Sequence, residues 1–477
     1  MIKLKSIILP LLLLLLSTVV YSQTASLADY LEIAVQNNPG LKAEFLNYQA
    51  SLQKIPQAGA IPDPQLEMGF YVKPMNILDG SQLADFTLMQ MFPWFGTRKL
   101  ARVEANYMAN MAFEKFRESR DNLYLAVYTK WFLLCSLQQK LTSSQENKQY
   151  LEQLKSLAIR KYSSPVSTAS GSTTGSTAST TSEVIALSGG MAAMSTMNTS
   201  TGSGGNSGTE ISKMDGNMNS ISAGMSEVLR LQLEIVELET SIESFRSEIE
   251  AEKAKFNTLL NRPTNSGVSV PDNFEKISYL LNVDKAMELI EQQNPMLGML
   301  KQEANAYKAK QEMDKQMSYP MLGVGFQYSV LKKRMDMGIP VTAMNGMDMV
   351  MPMLSVSIPV YRNKYKSQQK EGQLRWQSSK EQFSETFNML KAELIQTKHL
   401  LDNANRQIDL LEKQTTIATS TYRLVVKEYS TGKSDLTTVI QLQRQLLDYR
   451  LRKSDAISTY NTLVATAQRL ISVIENN

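Results

Sequence analysis

One structural unit is written twice along this chain, and that duplication restricts it to folds made of two like halves. Asn38-Pro39 recurs as Asn294-Pro295 and Pro64 recurs as Pro320, both 256 residues downstream. Further on, Pro93-Trp94-Phe95 corresponds to Pro359-Val360-Tyr361, and Lys161-Tyr162-Ser163 to Glu428-Tyr429-Ser430. Pro93 and Tyr162 are 69 residues apart, Pro359 and Tyr429 are 70 apart. Arms matched this closely predict two parallel helical rods ending at one level. At 1.5 Å per residue, a rod from Lys99 to Tyr162 would be roughly 95 Å long.

The rods carry a coiled-coil beat. Phe383, Phe387, Leu390, Leu394, Thr397, Leu401, Ala404, Ile408, Leu411, Thr415, Ala418, Tyr422 and Val425 alternate steps of four and three. That is a seam of period 3.5, which keeps one narrow stripe facing a partner helix. Val228, Leu231, Ile235, Leu238, Ile242, Phe245 and Ile249 repeat it in the first copy, with Glu234, Glu237 and Glu243 between. Taken alone, these helices fit a soluble fibrous coiled coil.

The strands argue otherwise. Leu322, Val324, Phe326, Tyr328 and Val330 alternate with Gly323, Gly325, Gln327 and Ser329, and Leu354, Val356 and Ile358 alternate with Ser355 and Ser357. Leu66, Met68 and Phe70 alternate with Gln65, Glu67 and Gly69, and a fourth segment runs through Phe86, Thr87 and Leu88 to Phe92. A period of two with one apolar face suits strands between lipid and water. Two hairpins make four strands, too few to close a barrel. Open edges are not tolerated in hydrocarbon, so several chains must share one.

The N-terminus agrees with a life outside the cytoplasm. Lys3 and Lys5 precede an apolar run from Ile7 to Val20, and Val20-Tyr21-Ser22 suits cleavage before Gln23, so residues 1–22 read as a signal peptide. Beyond it no run approaches 18 apolar residues, which excludes a spanning helix. Cys135 is the lone cysteine, so packing and assembly rather than a disulfide must supply stability. The formal charge of +4 is too small to point to nucleic acid as a partner.

With its doubled helix-strand-strand-helix unit, Pro93-Trp94-Phe95-Gly96 and Pro359-Val360-Tyr361 turns, and Tyr429-Ser430-Thr431-Gly432-Lys433-Ser434-Asp435-Leu436 before a last helix, the chain resembles the TolC family of outer-membrane efflux channels. The resemblance implies a mainly α protein with a small membrane β-barrel: a homotrimer sharing 12 strands, with an α-helical tunnel crossing the periplasm from the outer membrane. It implies a periplasmic adaptor protein and an inner-membrane pump of the RND type as partners. It also places Tyr429, Gly432 and Asp435 at the periplasmic tip, as docking residues or simply as caps of the reversing helices. On this reading residues 23–282 form the first repeat, with a hairpin at about 64–92 and an insert at 163–225. Residues 283–477 form the second, with a hairpin at about 320–358 and the tip turn at 429–435.

The insert departs from the family pattern. It is dominated by Ser, Thr, Gly and Met without one aromatic residue, a composition expected to stay disordered. It holds Met191, Met194, Met197, Met214, Met218 and Met225, while Met335, Met337, Met344, Met347, Met349, Met351 and Met353 crowd the second hairpin. These thirteen of 27 methionines are hard to assign to core packing in so polar a setting. Thioether sulfur is a soft, neutral donor suited to Cu(I) and Ag(I), so the cargo expected is one of these ions, held transiently as substrate. The chain then resembles the channels of Cus-type copper and silver efflux systems. A drug, organic-compound or type I secretion channel, and a pore-less secreted scaffold, remain the alternatives. Strand parity puts Met349, Met351 and Met353 on the wet face with Ser355 and Ser357, unless Pro352 marks a bulge. With His399 as the single histidine and no phosphate-binding glycine loop, neither an enzyme nor a resident cofactor is expected.

Overall fold

A computed structural model describes residues 26–77, 79–163, 216–271, 273–334 and 343–472. Two short helices, α1 (Leu27–Asn37) and α2 (Pro39–Ala58), lead into strands β1 (Gln65–Ile77) and β2 (Gly80–Phe92). Two long helices follow, α3 (Thr97–Ser163) and α4 (Gly216–Leu259). The second copy repeats this order as α5 (Val283–Gln293), α6 (Pro295–Met317), β3 (Met321–Lys332), β4 (Met349–Ser357), α7 (Arg362–Ser430) and α8 (Leu436–Leu470). The signal-peptide segment, Met191, Met194, Met197, Met214, Met335 and Met337 lie outside the described residues, as does the side chain of Met218. Helix α4 begins at Gly216, so residues 216–225 of the segment expected to lack order are helical. The helix that carries the seam from Val228 therefore begins within residues that composition alone assigned to the insert.

The repeated Asn-Pro is a clamp. Asn294 caps α6 by accepting from the Met296 and Leu297 amides at 3.0 and 3.4 Å, and its own amide donates to the Leu470 carbonyl at 2.9 Å. Asn38 does the same for α2, accepting from Leu41 N at 3.0 Å and donating to the Leu259 carbonyl at 3.0 Å. Each asparagine thus satisfies orphan groups at the start of one helix and the end of another. Pro39 and Pro295 occupy the first helical position, where no N–H is needed. Two residues past each clamped carbonyl the chain turns with positive φ, at Asn261 and Ser472. Asn261 donates to the Asn37 carbonyl at 3.2 Å, whereas the matching carbonyl of Gln293 is met by Arg117 at 3.1 Å.

The chain divides into two compact units. One holds the sheet, the four short helices and the parts of the long helices at residues 97–143, 243–259, 362–418 and 446–470. Its core includes Tyr30, Trp131, Phe132, Cys135, Phe256 and Leu260, with Tyr30 edge-on to Phe256 at 5.2 Å. Burial pushes the Cys135 thiol up to about 12, so it stays protonated and unreactive. A second cluster joins Leu401, Ala404, Ile408 and Leu411 to Ile457, Tyr460 and Val464. The other unit comprises residues 144–242 and 419–445 and buries Leu151, Leu154, Ala158, Leu231, Ile235, Leu238, Leu436 and Val439. Among seam residues, Leu390, Leu394, Thr397, Leu401, Ala404, Ile408, Leu411 and Ala418 are all buried.

Candidate functional site: a two-faced sheet and a helix-reversal tip

The four strands form one antiparallel sheet in the order β1-β2-β3-β4. From Met321↔Ser357 to Ser329↔Met349 the β3–β4 pairing runs without a break, so Pro352 marks no bulge and the parity of β4 is continuous. Residues paired across strands share a face. The register therefore sorts the sheet cleanly. One face carries Leu66, Met68, Phe70, Phe86, Leu88, Val324, Phe326, Tyr328, Val350, Leu354 and Val356. Its side chains stand open, with Phe70 at 71% and Leu354 at 85% exposure. So large a contiguous apolar surface is foreign to water-soluble monomers and marks a covered face.

The opposite face is built of small, polar and thioether groups. Read across from β1 to β4, one row is Gly69, Asp85, Ser329 and Met349, and the next is Glu67, Thr87, Gln327 and Met351. Below them come Gln65, Met89, Gly325 and Met353, and then Met91, Gly323 and Ser355. Met349, Met351 and Met353 thus lie beside Ser355 and Ser357, as parity predicts. Met89, Met91 and Met321 join them, and sequence reading missed all three.

At the far end the two hairpin loops are pinned to each other. Gly346 N donates to the Asp79 carbonyl at 2.8 Å, and Arg334 reaches the Ile77 carbonyl at 3.3 Å. Asn345 ties to Arg334 through both side-chain atoms at 2.9 Å, and φ of +80° at Gly346 gives the chain the left-handed turn it needs there. Met344 and Met347 project from this loop and are exposed.

The predicted tip lies in the second unit, between α7 and α8. Gly432 has φ of +77°, Lys433 N donates to the Glu428 carbonyl at 2.9 Å, and Gly432 N to the Tyr429 carbonyl at 3.1 Å. That is a Schellman ending, which requires a left-handed residue and so explains the glycine. Tyr429 is fully buried, its hydroxyl 3.3 Å from Glu227 Oε2, and Asp435 is exposed one residue before α8. Just inside the turn, Arg444 grips Glu234 with two donors, one at 2.7 Å, and reaches Glu237 at 3.3 Å. Buried Gln443 and Asn147 hydrogen-bond to each other. Buried polar pairs of this kind set register in coiled coils.

Two findings from known proteins bear on this geometry. Residues 286–471 match the family model for the outer membrane efflux protein. The match falls within the second repeat. Its matched span takes in the thioether-bearing strands β3 and β4, the long arm α7 and the tip turn. Over most of the chain the fold is similar to that of TolC-like channels. The outer membrane protein VceC of Vibrio cholerae superposes with a TM-score of 0.65 at 12% identity, covering 93% of this chain and 95% of that one. CusC, described for the changes that accompany folding and transmembrane channel formation, gives 0.65 at 13%, covering 93% and 91%. The open state of the Neisseria gonorrhoeae outer membrane channel MtrE gives 0.62 at 12%, covering 95% and 90%. At such identities the likeness is one of fold. No curated protein matches the sequence. Among the described residues no helix is long and apolar enough to cross a membrane, and no group of His, Cys, Asp and Glu is arranged to hold a metal ion.

Proposed function

We propose that this protein is the outer-membrane channel of a tripartite efflux pump and that its cargo is Cu(I) or Ag(I). The observation that carries the channel reading is the sheet: an exposed apolar face backed by a polar one, with β1 and β4 as edges that pair with nothing among the described residues. Three copies joined edge to edge would make twelve strands and leave no edge in hydrocarbon. The apolar face then meets outer-membrane lipid and the polar face lines a water-filled lumen. The channel is passive, and the driving energy comes from an inner-membrane pump of the RND type through a periplasmic adaptor. Docking falls to the exposed Thr431–Asp435 turn, with Gly432 shaping it and buried Tyr429 holding it to the helices behind.

The cargo reading rests on the clustering of neutral soft donors, from Met191, Met194, Met197, Met214 and Met218 in the insert to Met335, Met337, Met344 and Met347 at the hairpin loop and Met349, Met351 and Met353 on the wet face. Several weak sites in series suit conduction, because an ion must leave as readily as it enters. The test has two arms. Native mass spectrometry of the purified protein should show a trimer, and a folded monomer would refute the shared barrel. Cells lacking the protein should accumulate silver and copper. Accumulation of organic compounds alone would reassign the cargo to that class.

A further inference from the structure

Up to the register shift that follows Phe70, six of seven paired methionines stand on the polar face: Met89, Met91, Met321, Met349, Met351 and Met353, with Met68 alone on the other. A methionine placed only to fill space or to meet lipid would favour the apolar face. The two glycines of β3 explain how the thioethers are accommodated. A Cβ added at Gly323 would lie 2.5 Å from Met91 Sδ and 3.3 Å from Met89 Sδ, and one at Gly325 would lie 3.1 Å from Met89 Sδ. Both sulfurs therefore lie down over bare backbone and converge on one spot. The two sulfurs are therefore no more than about 5.8 Å apart, and turning their unbranched side chains can bring both onto one ion.

Met353 stands on the strand at the other side. It pairs with Gly325 on β4 while Met89 pairs with Gly325 on β2, so the two methionines face each other across a strand that has no side chain there. Strands about 4.8 Å apart put the two backbones within about 10 Å, which two unbranched side chains of three rotatable bonds span with ease. In the rows above, Glu67 and Asp85 add negative charge to the same face.

We propose that Met89, Met91 and Met353, seated over Gly323 and Gly325, form a three-thioether station for a soft monovalent cation at the helix-side end of the sheet. The station rests on the cargo reading above. It lies where the first repeat's hairpin meets the second's, and it gives the methionines farther along β4 a neighbour to pass an ion to or from. Three neutral sulfurs bind Cu(I) or Ag(I) in preference to Zn(II) or Mg(II), which want harder donors.

The experiment uses the full-length protein in detergent with its methionine methyls labelled with carbon-13, titrated with silver nitrate in chloride-free buffer. The methyl resonances of Met89, Met91 and Met353, assigned by single Met→Leu variants, should move together while that of Met68 stays fixed. Equal movement at Met68, or silent resonances at the three, overturns the station. The triple variant Met89→Leu, Met91→Leu, Met353→Leu should bind silver at this site about tenfold or more weakly, since losing a direct ligand costs no less than losing its supporting shell. Met68→Leu should change nothing. Silver accumulation in cells lacking the protein decides the cargo separately: normal accumulation would remove the cargo reading, and the titration alone decides the station.

Discussion

Met353 and Leu354 are adjacent in one strand and carry side chains of similar size, yet the register puts them on opposite faces, so placing arginine at each in turn isolates the face from every other variable. Leu354 lies three residues before the end of β4 at Ser357, about 10 Å along the strand. That falls in the inner part of an apolar band about 25 Å tall. If the face meets lipid, Leu354→Arg costs about 2–4 kcal/mol per chain near the midplane, repeated in every copy that shares the barrel. Two kcal/mol alone is roughly a 30-fold loss in the folding equilibrium. Met353→Arg points instead over bare Gly325 toward the row that holds Glu67, in water, and should cost about 0–1 kcal/mol. The assay is the fraction folded into lipid vesicles as a function of urea, for the parent and both variants. Equal midpoints for the two variants, or a larger loss at Met353, would refute the assignment of faces.

Two further predictions concern the helical part of the first unit. Asn294→Ala removes a cap worth about 1 kcal/mol and a buried hydrogen bond worth about 1 kcal/mol, so hydrogen exchange at Met296 and Leu297 should quicken roughly 30-fold. Asn38→Ala, at a less buried site, should act in the same direction and more weakly, and unchanged exchange in both would dismiss the clamp. Buried Asp314 and Glu252 should respond to pH with opposite sign. Burial raises the Asp314 pKa, outweighing Lys310, so the folded chain holds its proton more tightly and stability is lost as pH rises from the unfolded value through the raised one. Asp314→Asn should therefore raise the thermal midpoint at neutral pH, with the gain vanishing in acid. For Glu252 burial is opposed and overcome by hydrogen bonds from Lys130 at 2.7 Å and Lys255 at 2.6 Å, which lower its pKa. Its contribution is present above the unfolded value and lost as pH falls through the lowered one, so Glu252→Gln should lower the midpoint at neutral pH and have no effect in acid.

What could be read from sequence depended on contrast between neighbouring residues. The seam from Leu390 to Ala418 alternates apolar with charged residues, so its period survives inspection, and its members other than half-buried Thr415 are buried. In β3, glycine and glutamine against valine and phenylalanine make the faces equally plain. In β2 the run Phe86-Thr87-Leu88-Met89-Gln90-Met91-Phe92 places apolar residues on both faces, and the period-2 signal cancels. The spacing Met89-x-Met91 matches that of Met349-x-Met351-x-Met353 and was the one clue available. Only pairing with Gly323 and Gly325 turns that spacing into a location. The doubled Asn-Pro announced itself as a repeat, but its reach to Leu259 and Leu470 spans 221 and 176 residues, a link no local pattern encodes.

The two copies have kept their mechanical parts alike and let their chemistry diverge. Asn38 and Asn294 make the same two kinds of bond, and Asn261 and Ser472 turn the chain the same way past the clamped carbonyls. The strands do not correspond in this way. The first copy brings carboxylates on β1 and β2 and two thioethers on β2, while the second brings a nearly bare β3 and the methionine run of β4. A methionine from each copy pairs with Gly325 only because β2 pairs with β3, which is the junction between the copies. Neither hairpin alone holds all three sulfurs. A duplicated scaffold whose halves must pair leaves each half free to supply a different part of one site, provided the register between them is held. The loop contacts of Gly346 with Asp79 and of Arg334 with Ile77 hold it at one end, and the stacking of Trp94 on Tyr319 at 5.4 Å holds it at the other. A slip of a single residue at that junction would turn the methionines of β2 away from Gly323 and Gly325 and onto the apolar face.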